Sequence, residues 1–467
     1  MWRSRASNHG YAGRTARALL GGGDLAGSRA IGVPLIAWEL EPSSRSGGQD
    51  ALARAVFKAA ARELPYYAER FSSAGFQPAS LRSLDDLRSV PISAKSDLLA
   101  AQARSRSHAI GIEYGIGPAR SRLTLSLSSG TAGTTFITHT ARWRRIQGRS
   151  SCRAHWWAGL RPDTPLLISA PAWHSYAAIQ PFIAMHFGMP CVIVSGTFLP
   201  RFADRIVDAI VRFRPRFVSM FLPMVFSVLA AAKQKGVSGD QVFAGVESLV
   251  VTGAPITPGM RDHLRQLTRV RRVAEIAGSS ENLLAVDCAH ADGLHLVPDT
   301  CHAEVLDPKT GRPLADGERG AAVHSSVVLG GSLYLRYDGG DVAVMNHSPC
   351  PCGLPSPRIK LLGRREDSFT IGTQSLLPYD VQLALEQEVP ELNGSACVIT
   401  REGLAEGRLR LLLIEPARSP AALLQAARLG LARRFDVPVE ITPVRDLPLR
   451  FKGVPPILST PEAIASL

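Results

Sequence analysis

Ser248-Leu249-Val250-Val251-Thr252-Gly253-Ala254-Pro255 carries the pattern on which the fold turns. A mostly apolar run of β-favouring residues ends on glycine and proline, which reads as a buried strand delivering a turn. Three runs of the same kind stand upstream, at Pro165–Ala170, Cys191–Val194 and Phe217–Met220. Between and around them, segments 177–188, 201–213 and 223–235 carry apolar residues at helical spacing. Strand–helix alternation with such short connections predicts a mostly parallel, doubly wound sheet. Ligands in these sheets bind at loops beyond the carboxyl ends of the strands. Thr252–Pro255 and Ala277-Gly278-Ser279-Ser280-Glu281 are expected at that edge.

Toward the N-terminus, residues 51–75 show helical spacing and end near Gly75. Ser83-Leu84-Asp85-Asp86-Leu87 predicts a short capped helix, and Ser93–Ala101 another. Next comes Ser126-Leu127-Ser128-Ser129-Gly130-Thr131-Ala132-Gly133-Thr134-Thr135, behind the apolar alternation Leu123, Leu125, Leu127 and ahead of a helix over about 141–157. Glycines let the backbone approach a ligand, and serial N–H groups with hydroxyls form a donor surface for phosphate oxygens. The same composition also occurs in plain surface loops. No Lys-Ser or Lys-Thr closes the run, so it is not a Walker loop.

After residue 290 the chain turns β-rich, with tight turns at Asp307–Gly311 and Asp316–Glu318. Tyr337-Asp338-Gly339-Gly340-Asp341 is expected to end a strand, and Gly363-Arg364-Arg365-Glu366-Asp367 to be a polar linker. About 100 residues of smaller α/β pattern follow, which places a domain boundary at the linker.

The 467 residues leave ample room for large cores, and 45% hydrophobic with 20% charged residues is a globular composition. No apolar run approaches the roughly 20 residues that cross a bilayer. The first 23 residues hold four arginines and no acid before Asp24, without the apolar core of a secretory signal; a loose tail is expected, a transit peptide being the weaker option. A soluble, cytoplasmic protein is the expectation. The net charge of +13 is spread over many segments, without groove-reading motifs or interleaved aromatics, which argues against nucleic acid. Two arginine groups stand out, Arg142/144/145/149/153 and Arg261/265/269/271/272. They read as solvated helix faces or as contacts for a phosphorylated cofactor.

Taken in order, these motifs resemble the adenylate-forming ligases, and within them the phenylacetate–CoA ligase branch, over about residues 50–460. Leu64–Phe71 with Gly75 is similar to that branch's N-terminal helix. Ser128–Gly133 is similar to its phosphate loop, Gly253-Ala254-Pro255 to its adenine-side loop and Gly278–Glu281 to its catalytic glutamate motif. Tyr337–Asp341 resembles its ribose aspartate motif, and Gly363–Asp367 its hinge. The resemblance implies an α/β fold: a tail (1–49), a large N-terminal adenylate-forming domain of doubly wound sheets plus a β-rich subdomain (50–363), and a small mobile C-terminal α+β domain (364–467).

It also implies chemistry in two steps. A carboxylate attacks the α-phosphate of ATP to give an acyl-adenylate and pyrophosphate, and a thiol, normally of coenzyme A, then attacks the acyl carbon. Ser129, Gly130, Thr131 and Gly133 would hold the β- and γ-phosphates, and Glu281 Mg²⁺, with Gly278 and Ser280 in the same motif. Asp341 would accept the ribose hydroxyls with Arg364 assisting. Lys452 would reach between carboxylate and α-phosphate, and Glu366 would be the pivot of a domain rotation. Four positions depart from the family pattern: Thr134 replaces a lysine, Ala277 an adenine-stacking aromatic, Glu366 an aspartate, and Lys452 sits in Lys-Gly rather than Gly-Lys order.

Cys350-Pro351-Cys352-Gly353 is a tight turn presenting two thiols, half of a zinc knuckle. Cys288 and His295, with six residues between them on an expected hairpin, would complete a closed structural site, with Cys301 and His302 as substitutes. The branch has members with zinc at matching positions. Free buried thiols are the alternative.

The acyl pocket is expected near Ala170–Tyr176 and near Gly253-Ala254; the resemblance places His174 at the family's aromatic gate position, and aromatic walls with small residues would suit an aryl or arylacetic acid. Three readings stand: an acyl- or aryl-CoA ligase, an adenylating enzyme of secondary metabolism that passes its acyl group to an amine or a carrier-protein thiol, and a catalytically silent ligand-binding descendant. A homodimer is compatible with each.

Overall fold

The computed structural model describes residues 42–104, 123–127, 136–161, 165–170, 174–194, 200–279, 284–298, 300–328, 332–414, 421–445, 447 and 456–459. Helix α1 (Pro42–Glu63) is followed at once by α2 (Pro65–Ser73), so the single helical segment expected over 51–75 is two. Leu64 is extended (φ −114°, ψ 101°), because the residue before a proline is pushed out of the helical region, while Pro65 starts the next helix. The expected helix at 83–87 is a 3₁₀ turn, Leu84–Ser89, in which the Asp86 carboxylate accepts from the N–H groups of Arg82 (2.8 Å) and Ser83 (2.9 Å). Ser93–Ala94 is a short strand, β1, and α3 starts only at Lys95 (Lys95–Arg104).

Strands β2 (Leu123–Leu127) and β3 (Phe136–Thr140) form an antiparallel hairpin, and α4 (Ala141–Trp157) follows. Then come β4 (Leu166–Ser169), α5 (Ser175–Phe187), β5 (Cys191–Val194), α6 (Pro200–Phe213), β6 (Phe217–Phe221), α7 (Leu222–Gln234), β7 (Ser248–Thr252), α8 (Pro258–Thr268) and β8 (Arg272–Gly278). All five of these strands run parallel, in the order β5-β4-β6-β7-β8. Successive side chains enter opposite layers, as the two-residue period of a strand requires. Leu167, Val218, Met220, Leu249, Val251 and Val273 pack against α6, α7 and α8, while Leu166, Ile168, Phe217, Val250 and Ala274 pack against α4 and α5. The doubly wound arrangement is as expected.

The sheet does not stop at β8. It continues antiparallel through β9 (Leu284–Asp287), β10 (Leu294–Leu296), β11 (Cys301–Leu306), β12 (Arg319–Ser326), β13 (Tyr337–Asn346) and β14 (Arg358–Arg364), in the order β8-β9-β10-β14-β13-β12-β11. With β1 on β13, the described residues give one twelve-stranded sheet. Two expectations need correction here. Tyr337–Asp341 opens β13 instead of ending a strand, because Asp341 and Val342 pair with Arg364 and Gly363 across to β14. Gly340 (φ 87°) absorbs the local bend that the Asp-Gly-Gly-Asp signal announces. For the same reason Gly363-Arg364 belongs to a strand, and only Arg365–Asp367 forms a 3₁₀ turn.

The N-terminal helices lock this half in place. Tyr67 donates its hydroxyl hydrogen to Leu333 O (2.8 Å) and accepts from Leu335 N–H (3.1 Å), pinning the segment that leads into β13. Beyond residue 367, a four-stranded sheet (Val439–Val444, Leu409–Ile414, Cys397–Thr400, Ile457–Leu458) carries helices α9 (Pro378–Glu388) and α10 (Ala421–Phe435). Its core, including Val381, Leu385, Leu411 and Leu431, is drawn from residues after 368.

One buried polar cluster ties α8 to the sheet. Arg261 Nη1 donates to Asp287 Oδ2 (2.6 Å) and to Val273 O (2.6 Å), Glu275 N–H donates to Asp287 Oδ2 (2.7 Å), and Ile256 N–H reaches Glu275 Oε2 (3.4 Å). Arg261 is therefore internal, and Arg153 is fully buried, so neither belongs to a solvated basic face. Burial, and then the Asp287 charge, push the Glu275 carboxyl up to about 8. An acid whose folded pKa is raised stabilises the fold below its ordinary value of 4.5 and loses that contribution as pH climbs through about 8. Glu275→Gln keeps an acceptor for Ile256 but cannot ionise, so its thermal midpoint should fall less than the wild type's between those two pH values. Parallel profiles would contradict this.

Candidate functional site

Four neighbouring parallel strands deliver their carboxyl ends to one sheet edge. β4 leads to His174 and Tyr176, β6 ends on Phe221, β7 runs into Gly253-Ala254-Pro255, and β8 ends on Gly278. Phe221 joins the first of these segments to the third. Its ring meets His174 edge-on (centroids 5.3 Å apart, 88°) and Tyr176 at 6.4 Å and 80°. On its other side it lies so close to Gly253 (φ 94°) that a β-carbon there would stand 2.5 Å from Phe221 Cδ1. Both features require glycine at 253. The two segments expected to line an acyl pocket are thus brought together by an aromatic residue the sequence did not single out. A phenylalanine ahead of Leu222-Pro223 carries no signal of its own.

His174 is the N-cap of α5, its Nδ1 accepting from Tyr176 N–H (3.1 Å). The Tyr176 hydroxyl contacts Ser219 Oγ (2.5 Å) and His155 Nε2 (3.3 Å), and His155 Nδ1 donates to Ser151 O (2.8 Å). Burial drives the His155 ring down to about 4, so it is neutral. Thr257, two residues beyond Pro255, caps α8 by accepting from Met260 N–H (3.2 Å).

Asp341 and Arg364 face each other on β13 and β14, with Arg364 Nη1 2.8 Å from Asp341 Oδ1 and about 30% of each side chain exposed (31% and 27%). Beside them Arg365 Nη2 grips both Asp338 oxygens (2.5 and 2.6 Å), and Asp338 Oδ1 accepts from Gly340 N–H (2.8 Å). An acid and an arginine on adjacent strands, open to solvent, present acceptors and donors suited to a diol. The remaining expected residues, Ser129, Gly130, Thr131, Gly133, Ser280, Glu281 and Lys452, lie outside the described residues.

Cys288, His295, Cys350 and Cys352 come together with all ligand atoms within 4.8 Å of one another. Cys288 follows β9, His295 sits in β10, and the two other cysteines lie on the turn before β14. Cys288 Sγ is 3.7 Å from Cys350 Sγ, and Cys352 Sγ is 3.3 Å from His295 Nε2. Sulfurs bound at about 2.3 Å to a tetrahedral ion stand roughly 3.8 Å apart. His295 Nδ1–H donates to Ser356 O (3.0 Å), which leaves Nε2 without a hydrogen and facing the thiols. The donor set fits a closed tetrahedral site. Cys301 and His302, on β11, are not part of it.

The AMP-binding enzyme family matches residues 87–329, just over half of the chain. The chain is 28% identical over 373 residues to the phenylacetate-coenzyme A ligase of Thermus thermophilus, covering 76% of this chain and 78% of that protein. It is 25% identical over 348 residues to the enzyme of the same name from Escherichia coli, covering 72% and 73%. Among solved structures, 2-hydroxyisobutyryl-CoA ligase in its postadenylation state with R3-HIB-AMP superposes with a TM-score of 0.79 at 21% identity, over 91% of each chain. The same ligase with 2-HIB-AMP and CoA in its thioesterification state gives 0.65 at 22% identity, over 90% and 91%. The chain belongs to the AMP-binding enzyme family, and it stands with the phenylacetate–CoA ligase-like branch of the adenylate-forming ligases.

Proposed function

We propose that the chain uses ATP to convert a carboxylic acid into an acyl-adenylate and passes the acyl group to coenzyme A. The observation that carries this reading is the convergence of His174, Phe221, Gly253–Pro255 and Gly278 on one sheet edge. A carboxylate is a poor electrophile until its oxygen leaves as part of AMP, so the protein's work is to hold two anions against each other. Asp341, oriented by Arg364, is assigned the ribose hydroxyls, and Gly253-Ala254-Pro255 the adenine side. Phe221, His174 and Tyr176 give an aromatic wall that suits a flat aryl or arylacetic acid. The phosphate loop, Glu281 with Mg²⁺, and Lys452 keep their assignments from the motifs.

Residues 364–467 are assigned to a body that turns between the two half-reactions. The arrangement described here is taken as the adenylate-forming one, since superposition on 2-hydroxyisobutyryl-CoA ligase is closer in the postadenylation than in the thioesterification state.

Incubation with ATP, Mg²⁺ and a panel of aryl acids should release pyrophosphate, and added coenzyme A should yield the acyl thioester by mass. Asp341→Ala should lower kcat/KM for ATP by about 10–100-fold, the cost of losing hydrogen bonds to a charged group. No pyrophosphate with any acid would defeat the reading; adenylate with no thioester would move the acceptor to an amine or carrier.

Cys288, His295, Cys350 and Cys352 are further assigned one structural zinc ion, which would clamp the β9–β10 hairpin to the turn before β14. Protein purified without chelator should hold close to one zinc per chain, and Cys350→Ser should lower both zinc content and thermal midpoint. Absence of zinc from the wild type would contradict the assignment.

A further inference from the structure

We propose that Glu386 is the latch that holds the C-terminal body in its adenylate-forming position, and that it does so by gripping the junction carrying the adenine-side loop. The inference rests on the ligase reading above. Glu386 lies near the end of α9 and is only 6% exposed. Its Oε1 accepts from Thr257 Oγ1 (2.5 Å) and its Oε2 from Gly259 N–H (3.0 Å), across more than 120 residues of sequence. Those donors belong to the cap and first turn of α8, where backbone N–H groups lack helical partners and the helix dipole favours a carboxylate. Gln382 Nε2 steadies the acid, donating to Glu386 Oε1 (3.1 Å) and to Ser395 O (3.1 Å).

The fit around this contact is close. A β-carbon on Gly259 would stand 2.5 Å from Glu386 Cδ and 2.8 Å from Asn393 Oδ1, and one on Gly394 would stand 2.4 Å from His263 Cβ. The turn after α9 is thus pressed against the same helix. A second cross-contact, Arg319 to both oxygens of Asp380 (2.8 and 2.7 Å), is more exposed on its arginine side and more open to screening by water and salt.

Position along α9 gives Glu386 its leverage. The helix begins beside the hinge, where Leu377 and Tyr379 pack on Leu362. Glu386 lies seven residues beyond Tyr379, about 10 Å further along the helix axis at 1.5 Å per residue. A contact near a pivot survives rotation, whereas one at the far end of the helix is broken by it. The latch partners are a carboxylate, a hydroxyl and an amide, all of which water can satisfy once the bodies part, so this contact is reversible in a way that a large apolar seam is not. Because Thr257 follows Pro255 by two residues, a nucleotide that orders Gly253–Pro255 also orders the latch's partner. By linkage, a closed latch must then favour the nucleotide.

The test separates the half-reactions. Adenylation is read as acid-dependent pyrophosphate release, and thioester formation is read from supplied acyl-adenylate plus coenzyme A. Glu386→Ala should slow adenylation by about tenfold or more while thioester formation stays within about twofold of wild type or rises. Glu386→Gln, which keeps an acceptor, should lie between, and Thr257→Val should move in the same direction. As a readout independent of turnover, Glu386→Ala should be cleaved faster by protease at 364–367 in the absence of ligands. Equal loss in both half-reactions, or no change in either, would overturn the latch. A wild type that adenylates no acid would instead defeat the ligase reading itself.

Discussion

A parallel sheet sends the carboxyl end of every strand to the same edge, and the rest of this molecule follows from that constraint. β4, β6, β7 and β8 lie side by side, so four loops that are far apart in sequence have no choice but to meet. The helices fill the two faces, and ligands in such sheets bind beyond the carboxyl ends of the strands. Phe221 then sets how closely the loops approach, because its ring occupies the space between His174 and a residue at 253 that must lack a side chain.

The antiparallel half has a different task. By continuing the same sheet through β9 and β10 to β14 and β13, it holds Asp341 and Arg364 in register on a frame rigidly joined to the parallel half. Tyr67 pins the segment that leads into β13, and the Cys288–His295–Cys350–Cys352 cluster brings together β9, β10 and the turn before β14. Beneath the edge, Arg261, Asp287 and Glu275 connect α8 to β8 and β9, so the helix that Glu386 grips is itself anchored in the sheet.

Much of this was legible in the sequence where the signal was local. The strands from 165 to 252 were found to within a residue or two, because short apolar runs bounded by glycine and proline leave little freedom in placement. The four Cys/His residues were legible because the Cys-x-Cys turn and the hairpin spacing each present their ligands locally. The misreadings have equally specific causes. Helical periodicity runs straight through Pro65, which hides a break that only the backbone of Leu64 reveals. Asp338–Asp341 carries a turn signal, yet pairing with β14 keeps it in a strand. Glu275, a lone acid inside the apolar run Val273–Ala277, signals a buried polar cluster, but its partners Asp287 and Ile256 are distant in sequence. Glu386 gave none, since an acid on a surface-like helix is ordinary until its partner, 129 residues away, is known.

The proposed ligase chemistry requires a nucleotide held by its sugar at Asp341 and by its base beside Gly253–Pro255. A crystal structure with a non-reactive acyl-adenylate analogue tests it most directly. Both ribose hydroxyls should then lie within hydrogen-bond distance of the Asp341 carboxylate, the adenine against the 253–255 backbone and the acyl group beside Phe221. A nucleotide bound elsewhere, with Asp341 engaged only by Arg364, would contradict it.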